Sequence, residues 1–212
     1  MTPSAVYAWL MSGANGSACD GFDAHVIASI LSVALIEARQ EAAPVSERVG
    51  LSGSDLARLT GELFPHAAGN FARISDEALA ADDEREQVRD LLLVNRTGAT
   101  EIEIPLASML AARAMRPDHL WQDLGLRNRR ELGWLMSRHF EPIAARNTSD
   151  MKWKKFLYRQ LCEAEGFTLC TAPSCAECQD FDACFGAEDG ESRMATLRRD
   201  VDRTGASAIA AE

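Results

Sequence analysis

The sequence predicts a mainly α-helical protein, a single helical domain with a C-terminal cysteine-rich loop, and three observations carry that prediction. Apolar residues recur at spacings of three and four, the period of one helix face. No run of alternating β-branched residues extends beyond a few positions, so a half-buried strand has little to be built from. Proline and glycine fall between the periodic stretches, at Pro65, Gly98, Pro117, Gly125 and Pro142. With 212 residues and 47% hydrophobic content, the chain is long enough to bury a core and short enough for one domain, or one and a half.

In chain order, a Gly/Ser-rich lead-in from Ser12 to Gly21 precedes a helix over 23–40 that is apolar nearly all round and is expected to be central. Its longest apolar stretch, "VIASILSVALI" from Val26 to Ile36, falls below the ~18 residues needed to span a bilayer, so it reads as a buried helix. "GLSGSDLARLTGELFP" offers Ser52 or Ser54 as N-cap, Leu56, Leu59 and Leu63 as an apolar stripe, and Pro65 as a stop. "DDEREQVRDLLLVNRTG" places acids in a first turn, where the helix dipole favours them, and exits at Gly98. "EIEIPL" is either two strand residues or an extended approach to a helix with Pro105 at its first position. Helices follow at 105–115, 118–124, 128–140 and 150–163. Residues 1–160 thus form a helical domain, 161–188 a cysteine-rich metal-binding region, and 189–212 a polar, Ala/Gly-rich tail expected to be flexible.

The formal charge of −10 argues against a protein that coats nucleic acid or anionic membrane. The N-terminus has neither a basic n-region nor a long apolar core, so no secretory signal or anchor is expected and the chain reads as cytoplasmic. Charge is unevenly spread. From Arg113 to Arg159 there are eleven Lys/Arg and five Asp/Glu, whereas from Leu161 to Gly190 there are seven acids and no base.

Four of the six cysteines lie in "CTAPSCAECQDFDAC", spaced C-x4-C-x2-C-x5-C at Cys170, Cys175, Cys178 and Cys184. In a reducing compartment such crowding points to a metal or redox site rather than a disulfide framework. Structural zinc sites usually join two C-x2-C knuckles across a long spacer, whereas here one loop supplies every thiolate. An iron–sulfur cluster is larger than one ion and needs its ligands spread, which favours the cluster; the first three cysteines reproduce the C-x4-C-x2-C of plant-type ferredoxins. A zinc site and free or regulatory thiols stay open.

Cys162 falls at the end of the last predicted helix, opposite the stripe of Trp153, Phe156, Leu157 and Leu161 and beside Lys155, Tyr158 and Arg159. It is a fifth sulfur ligand, a reactive thiol, or a helix-end cysteine with no role. His139 shares the apolar face of Leu132, Leu135, Met136 and Phe140 and reads first as a core histidine. His25, His119 and His139 complete the candidate additional ligands. Cys19 is given no role.

The segment from His119 to Phe185 closely resembles the NifQ family of nitrogen-fixation proteins. "HLWQDLGL", "R-x-EL-x-x-LM-x-x-HF", "MKWKKF-x-YR-x-LC" and the cysteine array occur in order, and "FDAHVIASILSVAL" looks like the family's N-terminal part. The resemblance implies an iron–sulfur protein that binds molybdenum and supplies it for the nitrogenase iron–molybdenum cofactor, a carrier rather than an enzyme. It implies cluster ligands at Cys170, Cys175, Cys178 and Cys184, molybdate or a Mo–S species as cargo, and the cofactor-assembly scaffold and the nitrogenase iron protein as partners. No family motif is recognised over residues 41–112, so any partner surface there is unassigned.

Because molybdate is a dianion and the cysteine region is acidic, cations elsewhere are expected to receive it. Lys152, Lys155 and Arg159, at i, i+3 and i+7, are the candidates; a solvated face is the plainer reading. Two other functions compete. One is a redox-sensing helix-turn-helix regulator in which Arg127, Arg129 and Arg130 approach DNA, though Glu131 and Trp134 make a poor base-reading set. The other is a structural zinc-binding domain.

Overall fold

The computed structural model describes residues 2–74, 76–98, 100–164, 166, 181–188, 193, 194 and 197. The helical expectation holds: among the described residues the chain is mainly helix and contains no strand. The expected central helix is α2, Gly21–Glu41, and it follows a helix that periodicity did not announce, α1, Pro3–Ser12. Both begin on side-chain caps. Thr2 accepts the Ala5 N–H ahead of Pro3, and Asp20 accepts the N–H groups of Phe22 and Asp23, donors that would otherwise go unpaired.

Ile27, Ile30 and Leu31 of α2 are fully buried, each worth about 1.5–3 kcal/mol relative to exposure. Ser29 and Ser32 enter the core by donating to the carbonyls of His25 and Ala28, so no hydroxyl is stranded. Among the described residues α2 is the one helix long and apolar enough to cross a membrane, but 78% of its most apolar 18 residues are buried inside the fold. That burial makes it the core helix.

After α3, Val45–Val49, comes α4, Gly53–Leu63, capped by Ser52 and burying Leu56, Leu59 and Leu63 as its sequence suggests. A 3-10 turn at Pro65–Ala67 and α5, Ala68–Phe71, lead to α6, Asp83–Val94. The "EIEIPL" stretch is neither strand nor extended approach: α7, Glu103–Ala114, starts two residues before Pro105. Pro105 is accommodated because N–H groups of the first turn have no intrahelical acceptor. Then come α8, Leu120–Asp123, α9, Arg129–His139, and α10, Glu141–Ala144, whose second residue is Pro142. α8 is half the expected length, and Pro142 begins a helix rather than merely breaking one. α11, Trp153–Ala164, and α12, Phe181–Phe185, complete the described helices.

α1 and α3 pack on α2, α7 packs on α6 and α3, and α11 leans on α6. Two glycines permit close approaches in left-handed conformations. A Cβ on Gly50 would lie 2.5 Å from the Ser108 carbonyl, and one on Gly125 2.7 Å from Val33 Cγ2.

Candidate metal centre

α11 brings the chain to the cysteine region. Trp153, Phe156 and Leu157 bury one face in the core and leave Cys162 half-buried in the last turn. Cys170, Cys175 and Cys178 lie outside the described residues, and the chain is described again at α12 with half-buried Cys184.

Cys184 is fastened from the other side of α11. The Lys152 N–H donates to the Cys184 carbonyl at 2.8 Å, and Lys152 Nζ to the Asp182 carbonyl at 2.7 Å. The Gly186 N–H closes the turn on the same Asp182 oxygen at 2.9 Å. Lys152 therefore precedes α11 and ties its start to α12, which carries the last cysteine. Of the other two expected oxyanion-receiving cations, Lys155 is exposed and Arg159 donates to Glu163 at 2.7 Å.

A second fastening uses Arg129, at the N-terminus of α9. Its Nη1 donates to Glu188 Oε2 at 2.5 Å, and its Nη2 reaches Asp150 Oδ1 at 2.7 Å and the Met151 carbonyl at 3.0 Å. Burial disfavours the Arg129 cation, but hydrogen bonds and attraction from Asp150 and Glu188 outweigh it and hold the group above its ordinary value. His119 Nδ1 lies 3.4 Å from the other Glu188 oxygen. Beyond Glu188, Arg193 donates to buried Glu37 at 2.9 Å and Leu197 sits in the core.

The candidate histidines are separated. His25 bridges Tyr7 Oη at 2.8 Å and Glu131 at 3.4 Å, while buried His139 meets Asp23 at 2.9 Å and has Glu103 3.9 Å from its other nitrogen. His25 lies in the first turns of α2 and His139, which ends α9, meets Asp23 there; among the described residues His119 alone of the three contacts the stretch following Cys184. Among the described residues no three His, Cys, Asp or Glu side chains converge as a metal set.

Sequence reasoning missed the Arg129–Glu188 fastening. A signal existed: an arginine in a helix's first turn opposes the dipole and calls for acidic partners. The same contacts occupy one of the three arginines assigned to DNA in the regulator reading, and Leu132, Leu135 and Met136 of α9 are buried.

Fold and site together define a helical protein whose last described helices bracket a cysteine-rich segment. A family model described as NifQ matches residues 26–186, from α2 through the last cysteine, and the chain belongs to this family of nitrogen-fixation proteins. It is 41% identical to a Protein NifQ homolog of Sinorhizobium fredii (strain NBRC 101917 / NGR234), over 81% of this chain and 75% of the relative. Protein NifQ of Azotobacter vinelandii is 47% identical, with 66% and 78% covered. Protein NifQ of Rhodobacter capsulatus is 35% identical, with 78% and 91% covered. No solved structure matches the chain.

Proposed function

We propose that this chain is a molybdenum-binding iron–sulfur carrier that processes molybdenum and donates it for synthesis of the nitrogenase iron–molybdenum cofactor. The observation that carries the reading is the position of the C-x4-C-x2-C-x5-C array inside the span shared with the NifQ family. The donor set fits the group: four thiolates within fifteen residues match the needs of a cluster. Cys170, Cys175, Cys178 and Cys184 would hold it, and when bound it would supply iron and sulfide as soft partners for molybdenum.

The remaining work falls to the chain. Lys152 and Arg129 hold the segment around Cys184 against the helical domain, so the last ligand keeps its place as cargo comes and goes. The carrier acts in the cytoplasm, where thiols stay reduced, and hands its cargo to the cofactor-assembly scaffold together with the nitrogenase iron protein. The acidic residues Glu163, Glu165, Glu177, Asp180 and Asp182 steer it onto a basic recipient surface, so delivery slows as salt rises.

The test is delivery. Protein isolated without oxygen is expected to contain iron and sulfide and, once loaded, to support cofactor synthesis in a purified assembly mixture lacking molybdate. Loaded protein that cannot replace molybdate, or a preparation holding only zinc after reconstitution with iron and sulfide, sinks the reading.

A further inference from the structure

Two cavities differ in the charge they present. The larger, about 310 Å³ beside the start of α2, is bordered by Asp20, Asp23, Glu62 and Glu101 against Arg58 and Arg138, so carboxylates outnumber guanidiniums and an anion is repelled. The other, about 260 Å³, lies between the turn after α10 and the outer face of α11. Arg146, Ser149, Arg159, Gln160 and Glu163 border it, over buried Phe156. Among the described residues two guanidiniums here face one carboxylate, and Lys155 stands one turn before Arg159 on the same helix.

The carboxylate is held in an informative way. Arg159 Nε donates to Glu163 Oε1 at 2.7 Å, and Gln160 Nε2 donates to Glu163 Oε2 at 2.8 Å. Each oxygen thus takes one donor, as two oxygens on one edge of a tetrahedral oxyanion would. Arg146 is the complement. Its Nη2 donates to the neutral Asn95 carboxamide at 2.8 Å, and among the described residues no carboxylate pairs with it. Its full charge faces a cavity whose other cation is neutralised by Glu163.

We propose that this cavity is a docking site for a tetrahedral oxyanion, which displaces Glu163 from Arg159 and Gln160 and completes its contacts with Arg146 and the Ser149 hydroxyl. A guanidinium matches two oxygens of such an anion with parallel donors, and charge-assisted bonds of this kind are the strong ones. Glu163 is a built-in competitor that keeps the donors paired until a dianion, with twice its charge, replaces it. The proposal rests on the carrier reading only for the identity of the anion, molybdate; the geometry applies equally to sulfate and phosphate.

The experiment is equilibrium dialysis of the anaerobically purified full-length protein with molybdate, sulfate and phosphate in separate arms. At least one should bind, and the arms show which. Arg146→Gln is expected to weaken binding about tenfold or more and Arg146→Lys less, since a point charge remains. Glu163→Gln is expected to tighten it severalfold, an effect that a merely structural role for Glu163 would not produce. Arg146 is exposed, so iron content and helicity should match the wild type. Binding to none of the three anions, wild-type binding by Arg146→Gln and Arg159→Gln, or no tightening by Glu163→Gln overturns the proposal. If the loaded protein replaces molybdate while these variants bind normally, the cavity falls and the carrier reading stands. If the variants lose anion binding but loaded protein delivers nothing, the carrier reading falls and the cavity stands.

Discussion

Cys19 and Cys184 are both half-buried thiols without a disulfide, and their neighbours set them apart. Cys184 closes the cysteine array, and α12, which carries it, is tied down by Lys152. Cys19 sits by the start of α2, where burial, reinforced by Asp23 and Asp20, pushes its thiol up to about 11. The thiolate is the metal ligand and the nucleophile, so Cys19 is silent at neutral pH. At pH 8 only ~1 in 1,000 Cys19 thiols is ionised, and the fraction climbs tenfold per pH unit. Iodoacetamide is therefore expected to leave Cys19 unmodified at pH 8 and to label it progressively towards pH 11, as peptide mapping would show. Cys184→Ala should lose most cluster iron and Cys19→Ala none; equal iron in the two variants would undo the assignment. The cysteine spacing is plain in the sequence because it is local, and Cys170, Cys175 and Cys178 lie outside the described residues. The place of Arg129 in a first turn signals the need for an acidic partner, but not that Glu188 supplies it, since 59 residues separate the two and no period links them.

At the scale of elements, two glycines test how tightly the helices are fitted. Gly125 turns the chain from α8 to α9 with φ +73°, and a Cβ there would lie 2.7 Å from Val33 Cγ2 and 2.9 Å from the Ser29 carbonyl of α2. Gly61 lies inside α4, where an added Cβ meets nothing within 4 Å. The same substitution should therefore act with opposite signs. Gly125→Ala is expected to lose at least ~1–2 kcal/mol from left-handed backbone strain alone, and Gly61→Ala to gain up to ~1 kcal/mol from helix propensity. Urea midpoints that move in the same direction would contradict this account of the packing. Long helices were readable because their caps and stripes agree: Ser52 with Leu56, Leu59 and Leu63 in α4, and the first-turn acids in α6. α3, five residues long, is too short to show a period, and α1 announces itself only through Thr2 and Pro3. Pro105 misled because proline suits any position in the first turn, not only the first.

Across the whole molecule, one carboxylate joins parts of the chain up to 156 positions apart. Glu37 of α2 is fully buried and receives Arg113 of α7 at 2.7 Å and Arg193 at 2.9 Å, with Arg116 3.6 Å away. Arg113 also donates to the Asp123 carbonyl at the end of α8, and the Asp123 carboxylate meets Lys154 of α11 at 2.5 Å. Such pairings join residues up to 156 positions apart, so hydrophobic period and local charge could not foretell them. Burial works to raise the Glu37 carboxyl, but its guanidinium partners outweigh burial and hold it below its ordinary 4.5. A carboxylate depressed in the folded state contributes stability that is fully present above its unfolded value and is lost as pH falls through the folded one. Asp123 works the other way, since burial raises its carboxyl despite Lys154 and protonation relieves that cost. The acid limb of stability should therefore begin below about pH 4.5 and come from Glu37 more than from Asp123. Glu37→Gln leaves Arg113 buried without its charge partner and is expected to cost on the order of 3–5 kcal/mol at pH 7. It should also flatten the fall in urea midpoint between pH 5 and 3. A variant that loses stability at pH 7 but keeps the wild-type slope below pH 4.5 would place the acid sensitivity elsewhere.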